Sequence, residues 1–147
     1  FCDHTSAEKM NSKRVTVMKP GKEIILFGNI KVETIAAYNT TEGHTQFHPK
    51  EREDCGYIFN IGGSRIYVSG DTENTPEMKS LKDIDVAFLP VNQPFTMTVD
   101  EALDAIKTIH PKVFYPYHYG GTDQKTDINR LTEEGKKYTD VRIRNME

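Results

Sequence analysis

Arg65-Ile66-Tyr67-Val68-Ser69-Gly70-Asp71-Thr72 reads as a strand that ends on a glycine and hands a carboxylate to a loop. It is the second arm of a hairpin, with Tyr57 to Ile61 before it and Gly62-Gly63 as the turn. Further along, Tyr115-Pro116-Tyr117-His118-Tyr119-Gly120 ends another strand on an imidazole. Strand-to-loop junctions are where layered α/β folds place their chemistry. A carboxylate and an imidazole held at rigid strand ends suit a divalent metal.

The sequence around this hairpin changes character. Before it, Arg14 to Met18, Glu23 to Phe27 and Ile30 to Tyr38 read as strands, with Lys19-Pro20-Gly21-Lys22 as a turn and Phe27-Gly28-Asn29-Ile30 as a tight hairpin. Thr5 to Asn11 could form a helix capped by Ser6. After the hairpin, helix and strand alternate. Thr75-Pro76-Glu77 opens one helix, with Thr as cap and Pro in the first turn. Asp85 to Leu89 is an apolar strand. Thr98-Val99-Asp100-Glu101 is a capping box for a helix to Ile109, whose Ala102, Leu103, Ala105, Ile106 and Ile109 repeat at helical spacing. Val113 to Tyr117, a helix from Asp127 to Tyr138, and Val141 to Arg144 complete the series. Meander strands followed by βαβ units indicate a mixed α/β domain spanning 1–147.

Composition narrows the class. At 147 residues, 36% hydrophobic and 28% charged, the chain is near the size of one domain and apolar enough for one core. The net charge of −3 is spread through interleaved signs, which does not favour nucleic acid as a partner. No apolar run approaches the ~18 residues of a membrane span. Cys2 and Cys55 form neither a C-x-x-C motif nor a disulfide framework, so a reducing, cytoplasmic setting is expected, with a bridge between the two left open.

Each candidate site residue has a plainer reading. Asp71 could cap a turn, although Thr72 and Thr75 are available for that. His118 could be a half-buried histidine bonded to backbone. His44 and His48 share a polar loop from Asn39 to Cys55, longer than compact domains usually keep without a function. Pro49 restricts His48, which favours it over His44 as a positioned ligand. His110 sits at a helix C-terminus, where a cation suits the dipole, and is given no catalytic role. Gln93, Phe95 and Met97 follow a core strand and could line a pocket or simply pack.

Taken together, Asp3-His4, Ala37-Tyr38-Asn39 leading to His48-Pro49-Lys50, Gly56-Tyr57-Ile58, the Gly70-Asp71-Thr72 strand end and Tyr115 to Gly120 resemble the metallo-β-lactamase superfamily, in its branch of zinc-dependent hydrolases. The likeness runs, in the family's order, over about residues 1 to 120. It implies an αββα four-layer sandwich with mixed sheets, here N-terminally incomplete, with part of the first half and all of the second. The family's opening His-x-His-x-Asp-His segment is matched only in its last two positions, by Asp3 and His4, and Phe1 stands where a histidine would be. The resemblance assigns Asp71 to bridge two metals and His118 to bind the second, joined by Asp3 and His4, with His48 on the first. Asp3 would also orient the attacking water, and Tyr117 or Tyr119 would bond a substrate oxygen. The implied cofactor is one or two Zn²⁺, with Mn or Fe suiting the same ligands. The implied activity is a metal-dependent hydrolase that uses metal-activated water on an ester, lactone or phosphoester bond of a small substrate. The alternative is an inactive or truncated member that serves as a binding or assembly module, because an incomplete sandwich leaves a sheet edge and an apolar face that invite a partner or a homo-oligomer.

Overall fold

The computed structural model describes residues 1–10 and 14–146. Its centre is one mixed seven-stranded sheet whose spatial order follows the chain. The strands are β1 (Glu23–Ile25), β2 (Lys31–Ala36), β3 (Cys55–Ile61), β4 (Ser64–Val68), β5 (Val86–Pro90), β6 (Val113–Tyr117) and β7 (Asp140–Val141). Strands β1 to β4 pair antiparallel and β4 to β7 pair parallel. The change of sense falls at β4, the strand that delivers Asp71. Parallel pairing requires crossovers, and a helix lies in each of the three.

Those helices are α2 (Pro76–Lys79), α3 (Val99–Ile109) and α4 (Ile128–Gly135), preceded near the N-terminus by α1 (His4–Lys9). The expected caps form. Thr75 accepts from the Met78 amide, and Thr98 and Glu101 close a reciprocal capping box. The apolar stripe of α3 and Leu131 of α4 pack on Tyr67, Ala87, Leu89 and Phe114 of the sheet, all four of which are fully buried. This is the helix-covered face, and it holds the core.

Strand side chains alternate between faces, so the intervening residues point the other way. Phe88 and Tyr115, paired in register on β5 and β6, stack there with ring centroids 5.0 Å apart. Tyr57 and Phe59 stack at 6.2 Å on β3. These rings are only half-buried, and an apolar hollow of about 490 Å³ opens among Val68, Phe88, Tyr117, His118 and Met146. The described residues thus supply one sheet and one helical layer of the sandwich, with the second apolar face open.

Several sequence expectations shift. Arg14 to Met18 is not a strand; its one ladder contact is an isolated parallel bridge from Val17 to Cys2. The first helix starts at His4 and is capped by Asp3, not Ser6, because the Asp3 carboxylate accepts from both the amide and the hydroxyl of Ser6. Asn11, its expected end, lies outside the described residues. The Phe27 to Ile30 hairpin forms as expected, its turn made by positive φ at Gly28 (68°) and Asn29 (65°) and closed by the Leu26 amide donating to the Ile30 carbonyl. Strand β7 stops at Val141 rather than Arg144. Among the described residues, no helix is long and apolar enough to cross a membrane, and both cysteines are free.

Candidate metal centre

Two strand ends build the heart of the site. After β4 the chain turns at Gly70, whose φ of 70° lies in the left-handed region that side chains disfavour. Space is short there as well: a Cβ on Gly70 would stand 3.1 Å from the Cys55 carbonyl oxygen. This tight turn aims Asp71 out of the sheet. After β6, His118 also takes a positive φ, of 56°, and its amide is tied to the Met146 carbonyl at 2.7 Å. A non-glycine residue held in this region is strained, and such strain gathers at functional positions. The result is that His118 Nδ1 and Asp71 Oδ1 stand 3.4 Å apart, each side chain 40% exposed.

The other expected ligands divide. Asp3 and His48 line the same cleft as Asp71, a space of about 390 Å³ also bordered by Cys2, Arg52, Asp54, Cys55 and Tyr57. Burial pushes the Asp3 carboxyl up, but the Ser6 hydroxyl and nearby amides outweigh it and hold the group below its ordinary value. His4 does not join. It lies on α1, which buries no residue, and faces Glu8 at 3.7 Å with both side chains two-thirds exposed. Burial drives the Cys55 thiol up to about 11, which leaves it a neutral wall of the cleft at physiological pH.

His44 and His48 have distinct partners, which separates the two loop histidines. His44 Nδ1 faces Glu73 Oε1 at 3.3 Å. Glu73 is wholly buried, and its other oxygen accepts from the amides of Thr40 and Thr41, both at 2.7 Å, and from the Thr40 hydroxyl at 3.0 Å. Burial alone would raise the Glu73 carboxyl; these donors outweigh it and hold it low. Thr72 adds a second clamp, its hydroxyl exchanging hydrogen bonds with the amide and carbonyl of Tyr38. The segment just after Asp71 therefore anchors the start of the loop whose far end carries His48. His48 itself is held by Arg52, whose Nη2 lies 2.9 Å from the ring Nδ1.

Both tyrosine hydroxyls expected to meet substrate bond to backbone instead. Tyr117 donates to the Gly70 carbonyl at 2.7 Å, which braces the turn before Asp71, and Tyr119 donates to the Arg144 carbonyl. Burial raises the Tyr117 phenol well above its ordinary range. Of the pocket candidates, Met97 is fully buried in the core, Gln93 is tied to the Thr96 carbonyl, and Phe95 packs edge-on against Phe47. Sequence reasoning missed Glu73 and Arg52. No local spacing marks a buried anchor that binds a distant loop, or a guanidinium that folds back on its own turn.

With this geometry in place, a model of the beta-lactamase superfamily domain matches residues 1–118, from before Asp3 through His118. The chain belongs to that superfamily. It is 38% identical over 108 residues to a metal-dependent hydrolase of Symbiobacterium thermophilum, a match that covers 68% of this chain and 44% of the relative. It is 30% identical over 125 residues to a metal-dependent hydrolase of Methanosarcina mazei, covering 79% of this chain and 53% of the relative. Among solved structures it is similar to a protein of Parabacteroides distasonis provisionally assigned to the metal-dependent hydrolases, at 45% identity and a TM-score of 0.89, covering 99% of this chain and 64% of that one. A metallo hydrolase of Ignicoccus hospitalis, 21% identical with a TM-score of 0.80 over 98% of this chain and 64% of its own, shares the fold. The chain spans about half the length of the curated relatives it matches.

The donor set can be tested directly against a metal ion. Asp71 and His118 fit two places of a coordination shell in type and separation. A third ligand does not converge on them: among the described residues, no group of three or more His, Cys, Asp or Glu side chains is arranged to hold a metal. The shell these residues offer is partial.

Proposed function

We propose that this chain is part of a metal-dependent hydrolase of small substrates, and that Asp71 and His118 are its contribution to the metal centre. The observation that carries this reading is the 3.4 Å pairing of the two side chains, delivered by β4 and β6 on either side of β5. The metal-dependent hydrolases among its relatives support it. Imidazole and carboxylate donors suit Zn²⁺, with Mn or Fe as the next choices. When bound, such an ion supplies hydroxide at neutral pH. Asp3 and His48 border the cleft in which the substrate would sit. Tyr117 acts by bracing the Gly70 turn, and the expected substrate is an ester, lactone or phosphoester.

Zinc-supplemented assays with phosphodiester, lactone and ester substrates test this reading, run beside Asp71→Ala. Hydrolysis that is lost in the variant is the expected outcome. Hydrolysis at an unchanged rate in Asp71→Ala overturns it.

The open sheet face favours a second reading, an assembly module that buries the Phe88–Tyr115 side against a partner or a second copy. Light scattering after size exclusion separates the two. A stable monomer at all concentrations counts against assembly through this face.

A further inference from the structure

Arg52 is fully engaged around His48. Its Nε donates to Asp54 Oδ2 at 2.6 Å, and Nη2 also reaches that carboxylate. Nη1 donates to the Phe47 carbonyl at 3.3 Å, and Nη2 lies 2.9 Å from His48 Nδ1. A guanidinium has only donors and does not lose its proton in proteins. Nδ1 must therefore accept, and in a neutral imidazole the single ring proton then resides on Nε2. The ring is half-buried in a cleft that also holds Asp3 and Asp71. The guanidinium contact keeps Nδ1 without a proton, so the ring is held in its neutral form. A ring nitrogen that binds a metal needs a free lone pair. Here one lone pair is taken by Arg52 and the other nitrogen carries hydrogen.

We propose that His48 is not a metal ligand but a hydrogen-bond donor to the cleft, fixed as its Nε2–H tautomer by Arg52, and suited to an anionic or carbonyl oxygen of the bound substrate. Arg52 is then a positioning residue, which acts through the imidazole. The role in substrate binding rests on the hydrolase reading above; the tautomer does not.

Nitrogen-15 NMR of the imidazole rings in the full chain tests both parts. In the free protein, His48 should show a pyridine-like Nδ1 and a pyrrole-like, protonated Nε2. In Arg52→Met the two shifts should move toward an averaged mixture of tautomers, a change that a merely structural role for Arg52 would not produce. Arg52→Lys, which keeps a cation, serves as the second variant if Arg52→Met does not fold. With Zn²⁺ added, the His118 nitrogens should move while His48 keeps its pattern. Inorganic phosphate should then shift the His48 Nε2–H signal. A protonated Nδ1 in the free chain overturns the proposal, and so does a His48 Nε2 that loses its proton to Zn²⁺. If phosphate shifts His118 alone, the donor role falls. If Zn²⁺ moves neither histidine while the free tautomer is as expected, the tautomer assignment is supported and the metal-centre reading fails.

Discussion

Two regions of this molecule were expected to bring ligands to one point, and the structure places them very differently. Asp71 and His118 stand at the ends of β4 and β6, strands whose neighbours Tyr67 and Phe114 are fully buried under α3 and α4. Asp3 and His4 stand at the start of α1, a six-residue helix that buries nothing. Position at a strand end is inherited from the whole sheet, and the cost of moving it is the cost of disturbing the core. Position on one exposed helical turn is set by a cap alone, and a helix this short has little stability of its own. The first region therefore keeps its two groups 3.4 Å apart, and the second turns His4 toward Glu8 and solvent.

The sharpest way to break the contrast is to hollow the sheet beneath His118. Phe114→Ala should destabilise by ~3–5 kcal/mol, the range for a large core ring replaced by methyl. Urea unfolding followed by circular dichroism would measure it. A cost below about 1 kcal/mol would mean that the strand is not rigidly held, far short of a normal core truncation. Next comes the turn before Asp71. Gly56→Ala places a Cβ 2.7 Å from the Ser69 backbone oxygen, a contact that no side-chain rotation relieves. It should cost roughly 1–3 kcal/mol, as overpacking does, and weaken zinc binding by displacing Asp71. Chemical denaturation together with a zinc titration reads both effects.

Glu73→Gln addresses the link between the strand end and the loop. It removes the charge that accepts from Thr40 and Thr41 and faces His44. A loss of about 1–3 kcal/mol is expected, typical where buried donors lose a charged acceptor. Faster hydrogen exchange should appear first at the Thr40 and Thr41 amides. The smallest effect belongs to the N-terminal region. His4→Ala should change stability by no more than about 0.5 kcal/mol, the usual span for exposed positions. It should leave zinc affinity where it was, as read by the same titration.

Much of the sheet could be read from the chain because its signals are local. The Gly62-Gly63 turn between alternating strands, the Thr98–Glu101 capping box and the α3 stripe each sit within a few residues of what they specify. Arg14 to Met18 has the alternation of a strand, but a ladder needs a partner. Here only Val17 finds one, at Cys2. The approach of Asp71 to His118 was legible where strands end. It was not legible where a side chain's role depends on which distant group reaches it first. Tyr117 looked free for substrate until the Gly70 carbonyl took its hydroxyl. Asp3 caps α1 in addition to facing the cleft. Pro49 favoured His48 over His44 as a positioned ligand; His48 does line the cleft, but the Arg52 contact that decides its tautomer lies one helical turn along the chain and carried no local signal.

The central claim is that Asp71 and His118 are the metal-binding pair of this chain. Isothermal titration of Zn²⁺ into the wild-type protein, Asp71→Asn, His118→Ala and His4→Ala tests it most directly. The account predicts binding in the wild type, its loss in both strand-end variants, and its retention in His4→Ala. Undiminished binding in Asp71→Asn, loss of binding in His4→Ala, or a wild-type chain that takes up no zinc would contradict it.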